Sequence, residues 1–226
     1  MCPSEDAPVR DIPGVLGGSR LLEQPHLVAE VERFHRFTAG PEPVWVEVGF
    51  DHGRRLHSMA LLNPGWRIVG VEVRKRRVAE ATERAERDGL TNLLAWRVDA
   101  RTVFANVVDA GSLAGVDVLF PTPRWDAAKR ARRLLLGDAF LADVARALRP
   151  GGLLRVATDV AGYAAEVGAA LARQSDLEPV DDAVPEAVQP LCSQQSRREW
   201  KCEREGSPVT RFLARRRGAP DQDPTP

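Results

Sequence analysis

The 226-residue sequence has few cysteines, no long apolar run and no excess of either charge. Its three cysteines show no C-x-x-C spacing and its four histidines form no H-E-x-x-H motif, so neither a disulfide framework nor a metal site is predicted. No apolar run approaches the roughly 20 residues that cross a bilayer. The polar segment from Met1 to Pro13 lacks the apolar core of a secretory signal. We therefore expect a cytoplasmic protein that does not bind a membrane.

The charged residues are balanced in number but unevenly distributed. Thirty-two basic residues match 32 acidic ones, so no global field attracts a polyanion. The basic residues nevertheless form two clusters: Arg124, Lys129, Arg130, Arg132 and Arg133, and then Arg197, Arg198, Lys201, Arg204, Arg211, Arg215, Arg216 and Arg217. Charge alone leaves two interpretations open, a nucleic-acid surface and the solvated faces of helices and strands.

Short apolar segments alternate with helical patterns along the chain, which predicts an α/β fold with a mostly parallel sheet. The predicted strands are Val44–Val48, Ile68–Val73, Leu93–Val98, Val116–Phe120 and Leu153–Ala157, with a last, antiparallel strand at Val209–Ala214 at the far end of the sheet. The predicted helices are Arg54–Leu62, Lys75–Asp88, Asp138–Leu148 and Val160–Arg173.

One folded domain accounts for most of the chain. An apolar content of 43% in 226 residues is enough to bury a large core. We expect this domain at residues 41–217, preceded by a partly disordered N-terminal extension at 1–40 and followed by a disordered tail at 218–226. The acidic, proline-containing segment Pro179–Pro190 is predicted to be a loop.

The most informative pattern is a glycine turn between two apolar runs. The first run ends at Glu47 and leads to Gly49 and Gly53, and the second run ends at Glu72. Glycines let the backbone approach a ligand, and a carboxylate at the end of the second strand can bind both hydroxyls of a ribose. The G-x-x-x-G spacing differs from the G-x-G-x-x-G of dinucleotide sites. The pattern therefore favours S-adenosylmethionine as the ligand.

Further motifs follow the glycine turn in order. They are Gly70-Val-Glu72, Asp99-Ala100, Phe120-Pro-Thr-Pro-Arg-Trp125, Arg132-Arg-Leu134, Arg149-Pro-Gly-Gly152, Ala157-Thr-Asp159 and Ser196-Arg-Arg-Glu199. Together these motifs resemble the bacterial tRNA (guanine-N7)-methyltransferase family, over a match from about Pro43 to Arg217. The resemblance implies a Rossmann-like, seven-stranded class I methyltransferase sheet. It also implies methyl transfer from S-adenosylmethionine to a guanosine in the variable loop of tRNA.

The resemblance implies a set of cofactor-binding residues at strand ends: Glu47, Gly49, Gly53, Glu72, Asp99 and Ala100. Glu47 would lie under the cofactor, Glu72 would hold its ribose, and Asp99 would lie near the adenine. Ligands of open α/β sheets bind at this edge on physical grounds as well. The alternative is that these are strand-end carboxylates that are exposed by default. The middle glycine of the family turn is Asp51 here, and Asp is among the residues least penalised at positive φ.

The resemblance also implies a set of substrate-binding residues: Trp125, Lys129, Arg130, Asp159, Ser196 and Glu199. Asp159 ends the fifth predicted strand and would contact the target nucleoside together with Ser196 and Glu199. The S-x-x-E pattern is equally that of a helix capping box. Trp125 would stack on a base, although a lone tryptophan more often packs against protein.

The chain departs from the family at one motif. The family aspartate of F-P-D-P-W, which has a substrate or catalytic role, is replaced by Thr122, and one residue is inserted before Trp125. Guanine N7 reacts through an unprotonated lone pair, so positioning supplies much of the acceleration and no general base is required. The N1–H and amino group of guanine still call for acceptors, which Asp126, Asp159 or Glu199 would provide.

Three functions remain open at this stage. The first is a tRNA guanine-N7 methyltransferase with a changed acceptor loop. The second is a related methyltransferase that acts on a small heterocyclic molecule or on another RNA, and the third is a non-catalytic cofactor- or RNA-binding protein. We expect a monomer or a homodimer.

Overall fold

The structure, a computed structural model, describes residues 25–121, 135–180 and 184–218. Several predictions fall outside these residues. They concern Thr122, Trp125, Lys129 and Arg130, the first basic cluster, most of the N-terminal extension and nearly all of the tail. The described part of the extension forms helix α1 (Pro25–Thr38).

A single seven-stranded sheet organises the described chain. Its strands are β1 (Val44–Val48), β2 (Arg67–Glu72), β3 (Leu93–Arg97), β4 (Leu113–Leu119), β5 (Leu148–Thr158), β6 (Leu177–Pro179) and β7 (Thr210–Arg216). They lie in the order β3-β2-β1-β4-β5-β7-β6. Strands β1 to β5 are parallel, and β7 is antiparallel to both of its neighbours. The predicted α/β class, a mostly parallel sheet with an antiparallel last strand, is confirmed.

Two details of the sheet differ from the prediction. The last strand, β7, does not lie at the far end of the sheet but between β5 and β6. The edge strand β6 has only three residues, too few to show the alternation by which a strand is recognised. Strand β5 begins at Leu148 and not at Leu153, because the Arg149–Gly152 segment continues the strand after the preceding helix ends at Ala147.

The remaining helices are α2 (Arg54–Leu62), α3 (Lys75–Arg87), α4 (Ala100–Asn106), α5 (Asp138–Ala147), α6 (Ala161–Ala172), α7 (Gln189–Cys192) and α8 (Arg197–Glu205), with a 3-10 turn at Glu186–Val188. The four predicted helices are confirmed to within one residue at each end. Helix α8 was not predicted because Cys202 is its only buried residue, so it has no apolar stripe. The prediction of a loop over Pro179–Pro190 is wrong for its last residues, because Glu186–Val188 form the 3-10 turn and α7 begins at Gln189. Among the described helices, none is long and apolar enough to cross a membrane.

Two layers of apolar side chains sandwich the sheet. One layer holds Phe34 of α1 and Phe104 of α4 against the valines of β1 and β2. The other layer holds Trp45 of β1 against α2 and the segment that contains α7. A side chain at Gly115 would lie 2.3 Å from the Trp45 ring, so the neighbouring strand needs a glycine there. The carboxyl ends of β1 to β5 meet at one edge, where open α/β sheets bind ligands.

Candidate active site

The glycine turn links β1 to α2 at this edge. Gly49 has φ 76° and Gly53 has φ 64°, and both values favour glycine. A Cβ at Gly53 would lie 2.8 Å from the Cβ of Ala81, whereas the space beside Gly49 is open. Asp51, between them, has φ 47°, a left-handed conformation that Asp tolerates better than most residues. The turn therefore leaves room for a ligand on the side of Gly49.

The carboxylate of Glu72 lies at the end of β2 and is held by Arg74. Glu72 is 5% exposed. Its Oε1 accepts from the Arg74 backbone N–H at 3.0 Å and from Nε at 3.2 Å, and its Oε2 accepts from Nη2 at 3.2 Å. The hydrogen bonds to Glu72 raise the pKa of Arg74. Arg74 Nη2 also donates to Asp51 Oδ1 at 3.1 Å, so Arg74 links Glu72 to Asp51 in the glycine turn.

Asp51 is not a free negative charge beside the ligand space. Arg77 Nε lies 3.3 Å from Asp51 Oδ1, in addition to the contact from Arg74. An unpaired carboxylate at this position would change the electrostatic field beside the ligand space. With two guanidinium groups beside it, the local field at Asp51 is largely offset.

A cavity of about 490 Å³ lies at the edge strand β3, beyond Glu72. Val73, Val98 and Asp99 line it from the strand ends, and Glu30 and Arg33 of α1 line it from the opposite side. Asp99 is also the N-cap of α4, because its Oδ1 accepts from the Arg101 N–H at 2.8 Å. The other predicted residue here, Ala100, is the first and buried residue of α4.

Beneath the turn lies a buried ionic cluster, defined as Glu47, Arg55, Asp117 and Arg155. Glu47, Asp117 and Arg155 lie side by side in register on β1, β4 and β5, on the face that α2 covers. Arg55 of α2 reaches them: its Nη2 donates to Asp117 Oδ2 at 2.5 Å, and its Nη1 lies 3.2 Å from Glu47 Oε2. Arg155 Nη1 lies 3.6 Å from Asp117 Oδ1. Two carboxylates thus face two guanidinium groups in the core.

The cluster holds Glu47 in an environment unlike that of an exposed carboxylate. Burial raises the pKa of Glu47 against the opposing pull of Arg55. Burial also opposes the charge of Arg55, but Asp117 and Glu47 outweigh it and raise the pKa of the guanidinium. Sequence analysis missed Arg55, Asp117 and Arg155. The available signal was Asp117, a charged residue inside an otherwise apolar strand.

The predicted acceptor-side residues lie where α8 crosses the ends of β5 and β7. Asp159 Oδ2 accepts two hydrogen bonds from Arg198, through Nε at 2.9 Å and through Nη2. Glu199 Oε1 accepts from Arg211 of β7 through Nε at 3.1 Å and Nη2 at 2.6 Å. Both carboxylates are therefore paired with exposed arginines, and neither had been predicted to be.

Ser196 is the N-cap of α8, since its Oγ accepts from the Glu199 N–H at 3.1 Å. The capping interpretation of S-x-x-E is confirmed for the serine. Glu199 directs its carboxylate to Arg211. A cavity of about 240 Å³ adjoins this point, and Leu119, Ala157, Glu199 and Arg211 contribute to its walls.

Phe120 leads from β4 toward the segment that contains Thr122, and its φ is 50°. Among the described residues, Phe120 and Asp51 are the two non-glycine residues with positive φ. Backbone strain of this kind concentrates at functional sites. Both strained residues lie at the carboxyl edge of the sheet: Asp51 follows β1 and Phe120 follows the adjacent strand β4.

Most members of the second basic cluster are paired with acidic side chains. The pairs are Arg198–Asp159, Lys201–Glu205, Arg211–Glu199, Arg215–Glu178, Arg216–Asp176 and Arg217–Glu178. Two members differ. Arg197 Nη1 lies 3.1 Å from His52 Nε2 in the glycine turn, and the guanidinium of Arg204 lies 4.7 Å from the ring centre of Trp200. Trp200 is 51% exposed, so its ring is accessible on the surface of α8.

The sheet order and the ligand edge define a class I methyltransferase fold. A solved structure, that of a variant 16S rRNA (adenine(1408)-N(1))-methyltransferase from Catenulisporales acidiphilia, is similar with a TM-score of 0.56. It is 19% identical and the match covers 84% of this chain and 93% of that one. At this identity the likeness supports the fold alone.

Sequence comparisons identify the family within that class. The model of the family described as "Putative methyltransferase" matches residues 41–212. A tRNA (guanine-N(7)-)-methyltransferase of Nocardia farcinica is 38% identical over 76% of this chain and 66% of its own length. One of Mycobacterium avium is 35% identical over 77% and 67%. The chain belongs to the tRNA (guanine-N7)-methyltransferase family, and the matches span about two thirds of these relatives' length.

Proposed function

We propose that this protein transfers a methyl group from S-adenosylmethionine to guanine N7 in tRNA. The observation that carries the proposal is the position of two carboxylates. Asp159 and Glu199 are far apart in sequence, yet both lie at the junction of α8 with the sheet, next to the edge that carries the glycine turn. Family membership supports the same function, and we propose a cytoplasmic location, where tRNA is available.

The residues at the cofactor side fit S-adenosylmethionine. The open side of Gly49 admits a ligand, and the Glu72 carboxylate suits a pair of ribose hydroxyls. The cavity beside Asp99 combines the apolar side chains of Val73 and Val98 with polar groups, which suits the face and edge of an adenine. When bound, the cofactor supplies an electrophilic methyl group on a sulfonium. Arg74 donates to both Asp51 and Glu72. We therefore expect the ribose hydroxyls to replace part of the Arg74 contact with Glu72 while Arg74 keeps its contact with Asp51.

On the acceptor side, the chain has to orient guanine and does not have to remove a proton from N7. Carboxylates suit the N1–H and amino group of guanine, because both groups are donors and a carboxylate is an acceptor. Asp159 and Glu199 provide such oxygens once Arg198 and Arg211 are drawn away. A general base such as histidine or tyrosine is not needed to deprotonate N7, because positioning of the reactants supplies the acceleration.

The phosphates of tRNA are suited to draw these arginines away. The side chains of Arg198 and Arg211 are 48% and 60% exposed, so a phosphate can reach them, whereas their partners Asp159 and Glu199 are only 13% and 15% exposed. A phosphate competes for guanidinium groups through the same bidentate geometry. The outward face of α8 adds Trp200 and Arg204, a combination suited to stacking an unpaired base.

The test is transfer of labelled methyl from S-adenosylmethionine to unmodified tRNA, followed by digestion to nucleosides. We expect label in 7-methylguanosine, and none when the variable-loop guanosine is replaced by 7-deazaguanosine, which lacks N7. Label in another nucleoside would indicate a different RNA acceptor. Cofactor binding without transfer to any RNA would contradict the proposal and favour a small heterocyclic acceptor or a non-catalytic role.

A further inference from the structure

We infer that Arg55 is a positioning residue that holds the acceptor-side segment 191–199 in place against the cofactor-side glycine turn. The inference rests on the proposed function for its catalytic consequence. Its structural part, that one buried guanidinium sets the position of this segment, can be tested without tRNA.

The first step concerns the end of helix α7. A helix of a single turn leaves its carbonyl groups without partners inside the helix. Arg55 supplies donors to this stretch: Nη2 donates to the Leu191 carbonyl at 3.2 Å and Nε donates to the Gln194 carbonyl at 2.7 Å. Arg155 Nη2 donates to the Cys192 carbonyl between them at 3.1 Å. Two arginines from outside the segment therefore supply the hydrogen-bond donors for the carbonyl groups at and just after the end of α7.

A single carboxylate, that of Asp117, orients both arginines. Asp117 lies between them and is fully buried, with one oxygen toward Arg55 and the other toward Arg155. Because Asp117 lies on β4, the central strand of the sheet, the two arginines anchor the segment to the middle of the fold. Glu47 on the neighbouring strand restricts Arg55 from the other side.

The third step concerns where Arg55 stands in the chain. It lies two residues after Gly53, in the first turn of α2, so its backbone is a continuation of the glycine turn. Its partner Gln194 lies two residues before Ser196, the N-cap of α8. The side chain thus spans the cofactor side and the acceptor side directly, over a sequence separation of 139 residues. A second contact, His52 to Arg197, joins the same two regions nearer the surface.

The experiment compares Arg55→Met with the double variant Arg55→Met/Asp117→Asn. The single variant leaves Asp117 buried with less compensation, so part of its effect is loss of stability. The double variant removes one charge of each sign from the buried ionic cluster, and we expect its melting temperature to recover toward that of the wild type. It still lacks the donors to Leu191 and Gln194. Asp117→Asn alone, which keeps Arg55, measures how much of the effect arises because Arg155 loses Asp117.

The readouts are hydrogen–deuterium exchange of residues 191–199 and steady-state kinetics. In the double variant we expect exchange of this segment to accelerate about tenfold or more. We expect kcat/KM for tRNA to fall about tenfold or more, because small displacements of a positioning element are costly. The dissociation constant for S-adenosylmethionine is measured alongside, because Glu47 loses its contact with Arg55 in this variant, and kcat/KM should fall by more than cofactor affinity does. Arg55→Lys, which keeps the charge, should recover part of the loss.

The matched control is Arg146→Met. Arg146 also donates to two backbone carbonyls, those of Val108 at 2.9 Å and Phe104 at 2.5 Å, but it joins α4 to α5 away from the acceptor side. It should leave exchange of residues 191–199 unchanged. Exchange of this segment within twofold of wild type in the double variant would overturn the inference. If wild-type protein does not methylate tRNA, the proposed function fails, whereas the exchange result still decides the role of Arg55.

Discussion

The cofactor side and the acceptor side of this edge are built in different ways. The cofactor side is contiguous in sequence: Gly49, Gly53 and Glu72 follow one another along β1, α2 and β2, and the turn depends on backbone conformation. The acceptor side joins the end of β5, the start of α8 and β7, and each of its carboxylates is held by an arginine side chain. The backbone geometry of the glycine turn is present before a ligand arrives, whereas the arginine pairs of Asp159 and Glu199, like that of Glu72 with Arg74, have to be exchanged.

The difference also has an energetic side. In the pairs Arg198–Asp159 and Arg211–Glu199 the guanidinium is exposed while the carboxylate is mostly buried, so a phosphate can reach the arginine from solvent and replace its partner. The buried pair Arg55–Asp117 cannot be exchanged in this way, since removing one partner leaves a buried charge at a cost of about 3–5 kcal/mol. The acceptor side thus combines exchangeable surface pairs with a fixed interior cluster.

The largest expected effect is on the cofactor side. Glu72→Ala removes a buried carboxylate whose charge-assisted hydrogen bonds are worth about 1.5–3 kcal/mol each, so the dissociation constant for S-adenosylmethionine should rise about 100-fold. Calorimetry measures it directly. Glu178→Ala is the matched control, because Glu178 also pairs with two arginines, Arg215 and Arg217, but lies on β6 at the opposite edge of the sheet. A change below threefold in Glu72→Ala would remove the ribose role of this residue.

The next largest effect is expected at Asp159 on the acceptor side. Asp159→Ala should lower kcat/KM for tRNA about 30-fold, the equivalent of about 2 kcal/mol for one hydrogen-bonded charge, and leave cofactor binding unchanged. Asp138→Ala serves as control, since Asp138 pairs with an exposed arginine, Arg173, at 2.8 Å on another part of the surface. Equal activity of the two variants would exclude Asp159 from the acceptor site.

A smaller effect is expected on the outward face of α8. Trp200→Ala should raise KM for tRNA about tenfold, because base stacking on an aromatic ring is worth about 1–3 kcal/mol. Trp200→Phe should keep most of the affinity. Leu62→Ala, at a residue of similar exposure, controls for loss of apolar surface and should leave KM unchanged. The idea fails if tRNA binds the alanine variant as tightly as it binds the wild type.

The smallest effect tests whether Asp51 matters to the cofactor side. Asp51→Gly relieves a positive φ, worth about 1 kcal/mol, but loses exposed contacts with Arg74 and Arg77 of up to about 1 kcal/mol each. We expect the free energy of unfolding in urea to change by less than about 1 kcal/mol and cofactor affinity by less than about threefold. Gly111→Ala, which creates a positive-φ alanine in open space, should be destabilising and calibrates the φ contribution. A tenfold change in affinity would assign Asp51 a direct role at the cofactor.

Local patterns in the chain were sufficient for much of the fold. Four helices and the five parallel strands follow from apolar periodicity, and the turn follows from Gly49 and Gly53, because each of these features depends on residues that are close in sequence. Helix α8 and strand β6 escaped prediction for the same reason, since one has no apolar stripe and the other is too short.

The sequence by itself determined the class of fold, the ligand edge and the family, because strand alternation, turn chemistry and ordered motifs are written in neighbouring residues. Only the tertiary structure decided what the charged residues do. Arg55 meets the Gln194 carbonyl across 139 residues, and Arg198 meets Asp159 across 39. Such contacts depend on the register of β1, β4 and β5 and on where α8 crosses them. That register arises when two apolar faces are buried at once, and no short stretch of sequence encodes it.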